Sequence, residues 1–178
     1  MASIISHAIV GLAAASVVSH GEMPLRFWVL SALCPVLPDA DVVTFHFGIP
    51  YSHFLGHRGF FHSFVFALLL GGVVATFFFS REAPLFTQRW LLLCGYFSLL
   101  TATHGILDAM TDGGMGIALF SPFDTTRYFL PWTPIKVSPI GIKSFFSPWG
   151  ARVILSEAVW IWIPAALMVI AARLLFHK

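Results

Sequence analysis

The sequence predicts an all-α integral membrane protein, a bundle of about five hydrophobic helices with two long loops. Of its 178 residues 58% are hydrophobic and only 10% are charged, whereas an ordinary soluble domain carries about 25% charged residues. The mean hydropathy is +0.86. One soluble core of this length could not bury so much apolar surface, so the lipid bilayer is the expected solvent for much of the chain. We expect a single integral membrane domain over residues 1–178.

Apolar runs predict the positions of the membrane spans, which need about 20 residues each. The predicted spans are residues 2–19, 25–37, 60–79, 88–109 and 153–176. No Lys or Arg precedes the first run, so we interpret it as a retained helix and not as a secretory signal. The second run ends in CPVLPDAD. Pro35 and Pro38 predict a break or kink there, so this span crosses incompletely or opens into a site.

The predicted spans place two long loops, residues 38–59 and 110–152, on one side of the membrane with the N-terminus. The tight turns and the C-terminus fall on the other side, and each side has five basic residues. Those near the tight turns flank the spans more closely: Arg26, Arg81, Arg89, Arg173 and Lys178. The positive-inside rule therefore places them in the cytoplasm. We expect a multi-pass protein of a bacterial inner (cytoplasmic) membrane with its long loops on the periplasmic face.

Seven ligand-type residues converge at one face of this predicted topology, although they come from four segments of the chain. They are His7, Asp39, Asp41, His57, His62, His104 and Asp108. His104 and Asp108, in HGILDAM, are four residues apart and share one helix face. Ionisable residues in a membrane span are costly and mark functional sites. Their common depth predicts a shared site.

Histidine and aspartate side chains at one site predict a divalent metal, with zinc as the expected ion. Seven candidates exceed the three or four protein ligands of one catalytic zinc, so one or two ions are expected. A two-metal site suits phosphoester hydrolysis. Arg58 and Arg127 could bind the phosphate, and Asp39 or Asp41 could orient the attacking water or act as the base.

Each fragment also has a simpler explanation. His7 could be a packing residue, PDAD a turn with a helix cap, and HRGFFHS an interfacial loop whose Arg58 reaches lipid headgroups. His104 and Asp108 could form a structural pair or part of a proton relay. The other histidines, His20, His46, His53 and His177, we assign to loops or to the membrane interface. It is the joint placement of the seven residues that favours a metal site.

The motifs LPDAD, HRGFFHS, HGILDAMTDGG and SPFDTTRY, after an N-terminal helix with an early His, resemble the YdjM-type family of bacterial membrane-bound metal-dependent hydrolases. The resemblance covers nearly the whole chain. It implies that the seven residues above are metal ligands and that Arg58 and Arg127 bind substrate. More remotely, the order of these motifs is similar to the zinc-dependent phospholipase C superfamily. Beyond Asp108 the only histidine is His177, so one or two ions are expected instead of that superfamily's three-zinc cluster.

These observations predict a membrane-embedded phosphoesterase, similar to a phospholipase or phosphodiesterase, acting on a lipid or lipid-linked substrate. One alternative is a transporter that uses the His and Asp residues as an ion path. Against it, the polar residues cluster at one end of the spans, whereas a conduction path needs them at the midplane. The other alternative is a non-catalytic protein that a metal ion stabilises. A net charge of +2 without any Lys/Arg cluster argues against nucleic acid as a partner.

Overall fold

The computed structural model describes residues 1–19 and 22–176. Within them the chain is all-α, as predicted, with seven α-helices and no β-strand. The helices are α1 (Ile4–Val18), α2 (Leu25–Leu33), α3 (Phe64–Phe78), α4 (Gln88–Ala109), α5 (Ile142–Phe145), α6 (Pro148–Glu157) and α7 (Ile163–Phe176). The predictions for His20, His177 and Lys178 lie outside the described residues.

Only some of the predicted spans are long enough to cross a bilayer. Helix α4 has 22 residues, and α6 and α7 join through a π-helical turn into one helix of 28 residues, Pro148–Leu175. Helices α1 and α3 have 15 residues each, which gives about 22 Å against a hydrocarbon core of about 30 Å. Two helices, or three with the bent pair described next, are therefore candidate spans by length and composition.

The second predicted span is broken, as its prolines predict. Helix α2 ends at Leu33, and a 3₁₀ helix, Leu37–Phe47, follows at an angle of 50°. Pro38 occupies the start of this 3₁₀ helix. The bend turns the chain inward, because Asp39 and Asp41 are both buried, each with 4% of its surface exposed.

The third predicted span starts later than expected because residues 60–63 serve another purpose. Phe60–His62 forms a 3₁₀ turn that buries His62. Ser63 then has an extended backbone, and its hydroxyl accepts a hydrogen bond from the Phe66 N–H, which caps α3. The predicted helix residues at 60–63 are therefore used to place a histidine.

Helices α3 and α4 pack closely through a glycine. A Cβ atom on Gly71 would lie 2.6 Å from the Ser98 nitrogen and 2.7 Å from the Cys94 oxygen, closer than any van der Waals contact. Gly72, on the next helical position, would meet only the Cys94 Sγ at 3.9 Å. Small residues allow such close contact between helices in membranes, and α4 carries two of the candidate ligands.

A buried carboxylate joins the first helix to the last. Glu157, at the end of α6, is fully buried and accepts hydrogen bonds from the Ser3 N–H and hydroxyl, at 2.5 Å each, and from the Ser6 hydroxyl at 2.7 Å. The indole N–H of Trp162 donates to the Ser6 oxygen at 2.7 Å. These contacts fix the start of α1, one turn before His7.

The long loop between α4 and α5 lies against the starts of α3 and α4's C-terminal end. The Phe64 N–H donates to the Leu119 oxygen at 3.0 Å, and the Ala118 N–H donates to the Arg58 oxygen at 3.1 Å. Isolated bridges join Thr111 to Ile135 and Ile117 to Tyr128. The loop therefore has fixed contacts with the segments that carry candidate site residues.

The α3–α4 contact gives a test of the packing. We expect Gly71→Ala to lower the free energy of unfolding by about 1–3 kcal/mol, because its methyl group overlaps the α4 backbone. Gly72→Ala is the matched control and should be neutral or stabilising by about 1 kcal/mol, since it removes a helix glycine without a clash. Unfolding of both variants by SDS in mixed micelles measures the difference. Equal stabilities would show that the two helices do not pack as described.

Candidate metal centre

All seven predicted ligand residues lie in one buried region, between the start of α1, the 3₁₀ helix after α2, the start of α3 and the end of α4. Each has 4% or less of its surface exposed. The structure thus brings together residues up to 101 positions apart, from His7 to Asp108. The predicted convergence of these residues is confirmed in the described part of the chain; their roles as ligands stay a prediction.

Four of the seven residues form a group with the spacing of a metal site: Asp39, His62, His104 and Asp108. Asp39 Oδ1 lies 3.6 Å from His62 Nε2 and 3.5 Å from His104 Nε2. Asp108 Oδ2 lies 3.7 Å from His62 Nε2 and 3.8 Å from His104 Nε2. Zinc bonds of about 2.0–2.2 Å in a tetrahedron require ligand atoms about 3.3–3.6 Å apart. The four atoms are therefore only slightly wider apart than a bound ion would hold them.

The hydrogen bonding of these atoms also fits a metal ion. Among the described residues, none donates a hydrogen bond to either oxygen of Asp39 or to Asp108 Oδ2, and His62 Nε2 and His104 Nε2 have no partner. Buried polar atoms are nearly always paired in native structures, and an unpaired group needs an explanation such as an ion. Two carboxylates and two imidazoles at this spacing are a zinc donor set.

Both histidines of the group present Nε2 because their Nδ1 atoms have other neighbours. His104 Nδ1 donates a hydrogen bond to the Pro35 carbonyl at 2.7 Å. His62 Nδ1 lies 3.2 Å from Asp41 Oδ2. A carbonyl or carboxylate at one ring nitrogen keeps the proton there and leaves the lone pair of the other nitrogen for a metal. Ring orientation and tautomer are therefore set for binding through Nε2.

A second group, Asp41, His57 and His62, could also hold an ion by spacing alone. Its hydrogen bonds differ from those of the first group. Asp41 Oδ1 accepts from His57 Nδ1 at 2.6 Å, and Asp41 Oδ2 accepts from the Arg58 N–H at 3.2 Å. Since these oxygens already have donors, we interpret Asp41 and His57 as supports of His62. Their predicted role as direct ligands, and with it a second ion, stays a prediction.

His7 lies beside the four-residue group. Its Nε2 is 3.4 Å from Asp108 Oδ1, and its ring stacks on that of His104 with the ring centres 3.9 Å apart. Asp108 Oδ1 also accepts a hydrogen bond from the Ala2 N–H at 2.6 Å. Helix α1 therefore closes one side of the group and contacts the Asp108 oxygen that does not belong to it.

Arg58 is the basic residue closest to the group. Its guanidinium is 1% exposed; Nε lies 3.6 Å from Asp108 Oδ2, while Nη1 donates to the Gly113 oxygen at 2.8 Å. Burial lowers the pKa of Arg58 and Asp108 opposes that shift, and a guanidinium stays charged at neutral pH. Arg58 also has a positive φ of 65°, which is uncommon for a residue with a side chain and occurs at functional sites.

Arg127 has a different position from Arg58. Its Nη1 donates to the His57 oxygen at 3.0 Å, and its Nη2 donates to the Tyr51 oxygen at 2.9 Å, so it holds the loop before α3. Burial raises the pKa of the neighbouring Tyr51 to about 12, so that phenol stays neutral. The predicted contact of Arg127 with substrate stays a prediction. His46 and His53 are exposed in loops, as the sequence predicts.

Several residues at the site are not singled out by the sequence. Thr111 accepts a hydrogen bond from Arg58 Nη2 at 3.1 Å and donates to the Asp108 oxygen at 2.7 Å. Gly105 allows α4 to contact the turn that carries His62, because a Cβ atom there would lie 2.6 Å from the His62 oxygen. Both residues lie in HGILDAMT, so proximity to a ligand motif is the signal that could have identified them. For Glu157, a lone carboxylate in an apolar run was the available signal.

The chain is similar to known membrane proteins over its whole length. It is 35% identical over 169 residues to the inner membrane protein YbcI of Escherichia coli strain K12, which covers 94% of this chain and 95% of that protein. No solved structure matches the chain at a significant level. A match to the family described as YdjM inner membrane protein spans residues 1–178. The chain therefore belongs to the YdjM inner membrane protein family, and its location is the inner membrane.

Proposed function

We propose that this protein is a metal-dependent hydrolase that cleaves a phosphoester bond in a lipid or lipid-linked substrate. The observation that supports the proposal is the group of four buried, unpaired ligand atoms at nearly tetrahedral spacing, with a guanidinium nitrogen 3.6 Å from one of them. An anion-binding residue next to a metal site suits a phosphate group, since a guanidinium can bind two of its oxygens.

The residues that would hold the ion are Asp39, His62, His104 and Asp108. A divalent ion such as zinc, when bound there, would polarise a phosphoryl oxygen and make water a better nucleophile. His62 and His104 provide neutral Nε2 atoms, whose positions Asp41 and the Pro35 carbonyl fix. Asp108 balances the charge of Arg58, so the guanidinium stays in place beside the ligands.

Asp39 is the best candidate for the base. Both of its oxygens are without a hydrogen-bond donor among the described residues, so one can bind the ion while the other accepts a proton from water. Asp41 is less suited, because His57 and Arg58 already donate to it. In the proposed reaction the water oxygen bonds to phosphorus and the phosphorus–oxygen bond to the alcohol breaks. The proton that Asp39 accepts then passes to the leaving alkoxide.

Arg58 would bind the phosphate. A guanidinium has five N–H donors, of which one on Nη1 and one on Nη2 are used by Gly113 and Thr111. A further N–H on each Nη atom is left for the negative charge that develops on the phosphoryl oxygens. Because the site is buried, such a contact would be stronger than in water.

The same four-residue group also suits a second function, a structural metal ion. Four protein ligands complete a tetrahedron, whereas catalytic zinc sites keep a position for water. In a hydrolase, one of the four would leave the ion or the ion would accept a fifth ligand. Turnover of a substrate distinguishes the two functions, because a structural ion would give metal binding without hydrolysis.

Metal content is the first test of the proposal. We expect the purified protein to bind a divalent ion in stoichiometric amount and the double variant His104→Ala/Asp108→Ala to lose it, as measured by inductively coupled plasma mass spectrometry. His46→Ala, at an exposed histidine, is the control and should keep the ion. Asp41→Asn should weaken affinity by about 10–100-fold, as expected for a residue that supports a ligand. A wild-type protein that binds no divalent ion after metal loading would contradict the proposal.

Hydrolysis is the second test. We expect the metal-loaded protein in lipid nanodiscs to release phosphate or a headgroup from membrane phospholipids or lipid phosphates. Arg58→Lys should lower kcat by about 10²–10³-fold, as does removal of one donor to a developing negative charge, with the metal still bound. Activity only towards carboxylic esters or amides would exclude a phosphoesterase but leave the metal site intact.

We also propose that the site opens to the periplasmic face, because the basic residues near the tight turns favour a cytoplasmic location for those turns. Exposed positions on the two sides are Leu85 in a tight turn and Thr125 in the long loop. In intact cells, an impermeant maleimide should label Thr125→Cys and not Leu85→Cys; the native cysteines, Cys34 and Cys94, are buried. A permeant maleimide should label both variants. The reverse pattern with the impermeant reagent would place the site in the cytoplasm.

A further inference from the structure

A cavity of about 400 Å³ opens beside the metal centre. Asp39 belongs both to the lining of this cavity and to the four-residue group. Cavities that bind small molecules have about 300–1,000 Å³, so the volume suffices for a ligand of moderate size. Any molecule in the cavity would have one end next to the ligand atoms.

The walls of the cavity are apolar. The start of α1 provides one wall, with Ile4 and Ile5, and the segment 138–146 provides the other, with Ile140 and Phe145. Although they are large and apolar, Ile4 and Ile5 have 55% and 46% of their surfaces exposed. These exposed fractions show that the cavity is open and that packing within the described residues does not fill it.

Asp39 is the one charged side chain among the described residues that line the cavity. It is 4% exposed, and neither oxygen has a hydrogen-bond donor. The Ser3 hydroxyl, also in the lining, is bonded to Glu157. A sugar or another polar molecule would lose its hydrogen bonds to water in such a cavity without replacement, which is unfavourable. A hydrocarbon chain would lose nothing.

We infer that this cavity binds the hydrocarbon chain of the substrate and directs its phosphoester to the metal centre. The inference rests on the proposed hydrolase function and makes the substrate more specific: an amphiphile, with one alkyl chain between α1 and the segment 138–146. The apolar walls provide affinity for the chain, and Asp39 marks the end at which the polar group reacts. The structure thereby assigns Ile5 and Phe145 as residues that determine which chain lengths fit.

The chain-length dependence of hydrolysis tests this inference. Suitable substrates are p-nitrophenyl alkyl phosphates with alkyl chains of about two to ten carbons, because each buried methylene should improve kcat/KM about fourfold. The assay uses metal-loaded protein in nanodiscs. Partition of a substrate into lipid is the same for every variant, so the ratio of wild type to variant at each chain length isolates the contribution of the cavity.

Ile5→Trp should fill part of the cavity. We expect it to lower kcat/KM at least tenfold for the ten-carbon substrate and less than threefold for the two-carbon substrate, with metal content unchanged. Leu12→Trp is the matched control: Leu12 lies on the same helix, is 43% exposed and does not line the cavity. It should leave both values unchanged. An equal loss for both chain lengths in Ile5→Trp, with the metal bound, would overturn the inference.

A second variant keeps the test valid if Ile5→Trp fails to fold. Phe145→Ala enlarges the cavity, so the optimal chain should become longer by two or more carbons. An unchanged chain-length profile in this variant would overturn the inference.

Failure of the hydrolase proposal can be recognised separately. If the wild type cleaves no phosphoester, a phospholipid with a photoreactive diazirine in its alkyl chain measures binding directly. Labelling within residues 138–146 that is lost in Ile5→Trp and kept in Leu12→Trp would support the chain site although the enzyme proposal had failed. Labelling that Ile5→Trp does not change would overturn the chain site.

Discussion

The whole arrangement depends on the compensation of two buried carboxylates, Asp39 and Asp108, in an apolar interior. An ionised carboxylate in such surroundings loses several kcal/mol of solvation unless other charges and hydrogen bonds replace it. Arg58 and the nearby imidazoles replace part of it, yet Asp39 and one oxygen of Asp108 receive no hydrogen bond from the described residues. The fold thus assembles a deficit of positive charge that a divalent cation is suited to fill.

This need for compensation explains why several helices are irregular. A regular helix of 20 residues uses all of its backbone hydrogen bonds internally and offers a site only side chains. Here α2 stops at Leu33, α3 starts only at Phe64, and residues 34–62 between them include 3₁₀ turns and a loop. These irregular segments carry four of the seven ligand-type residues. Irregular backbone at membrane depth is tolerated where protein buries it.

The sequence predicts the parts of the structure that depend on local patterns. The apolar run at 88–109 corresponds to α4 residue by residue, and Pro35 and Pro38 break the second span. The convergence of the seven polar residues follows from threading, because the spans alternate in direction. The short lengths of α1 and α3 do not follow, since apolar composition continues beyond the point where Ser63 and Ser19 change the backbone. The contacts of Glu157 and the apolar cavity are long-range features, which periodicity cannot specify.

The bend after α2 has a consequence for the chemistry of the site. In an uninterrupted α-helix the Pro35 carbonyl would accept a hydrogen bond from the N–H of Asp39, four residues later. In the 3₁₀ helix that N–H bonds instead to the Val36 oxygen, at 3.1 Å. The Pro35 carbonyl is thereby available to His104, whose ring it orients. Straightening this span would return the carbonyl to the backbone and leave the imidazole free to rotate, so the shape of a helix in the bilayer and the aim of a side chain in the site are one mechanical unit.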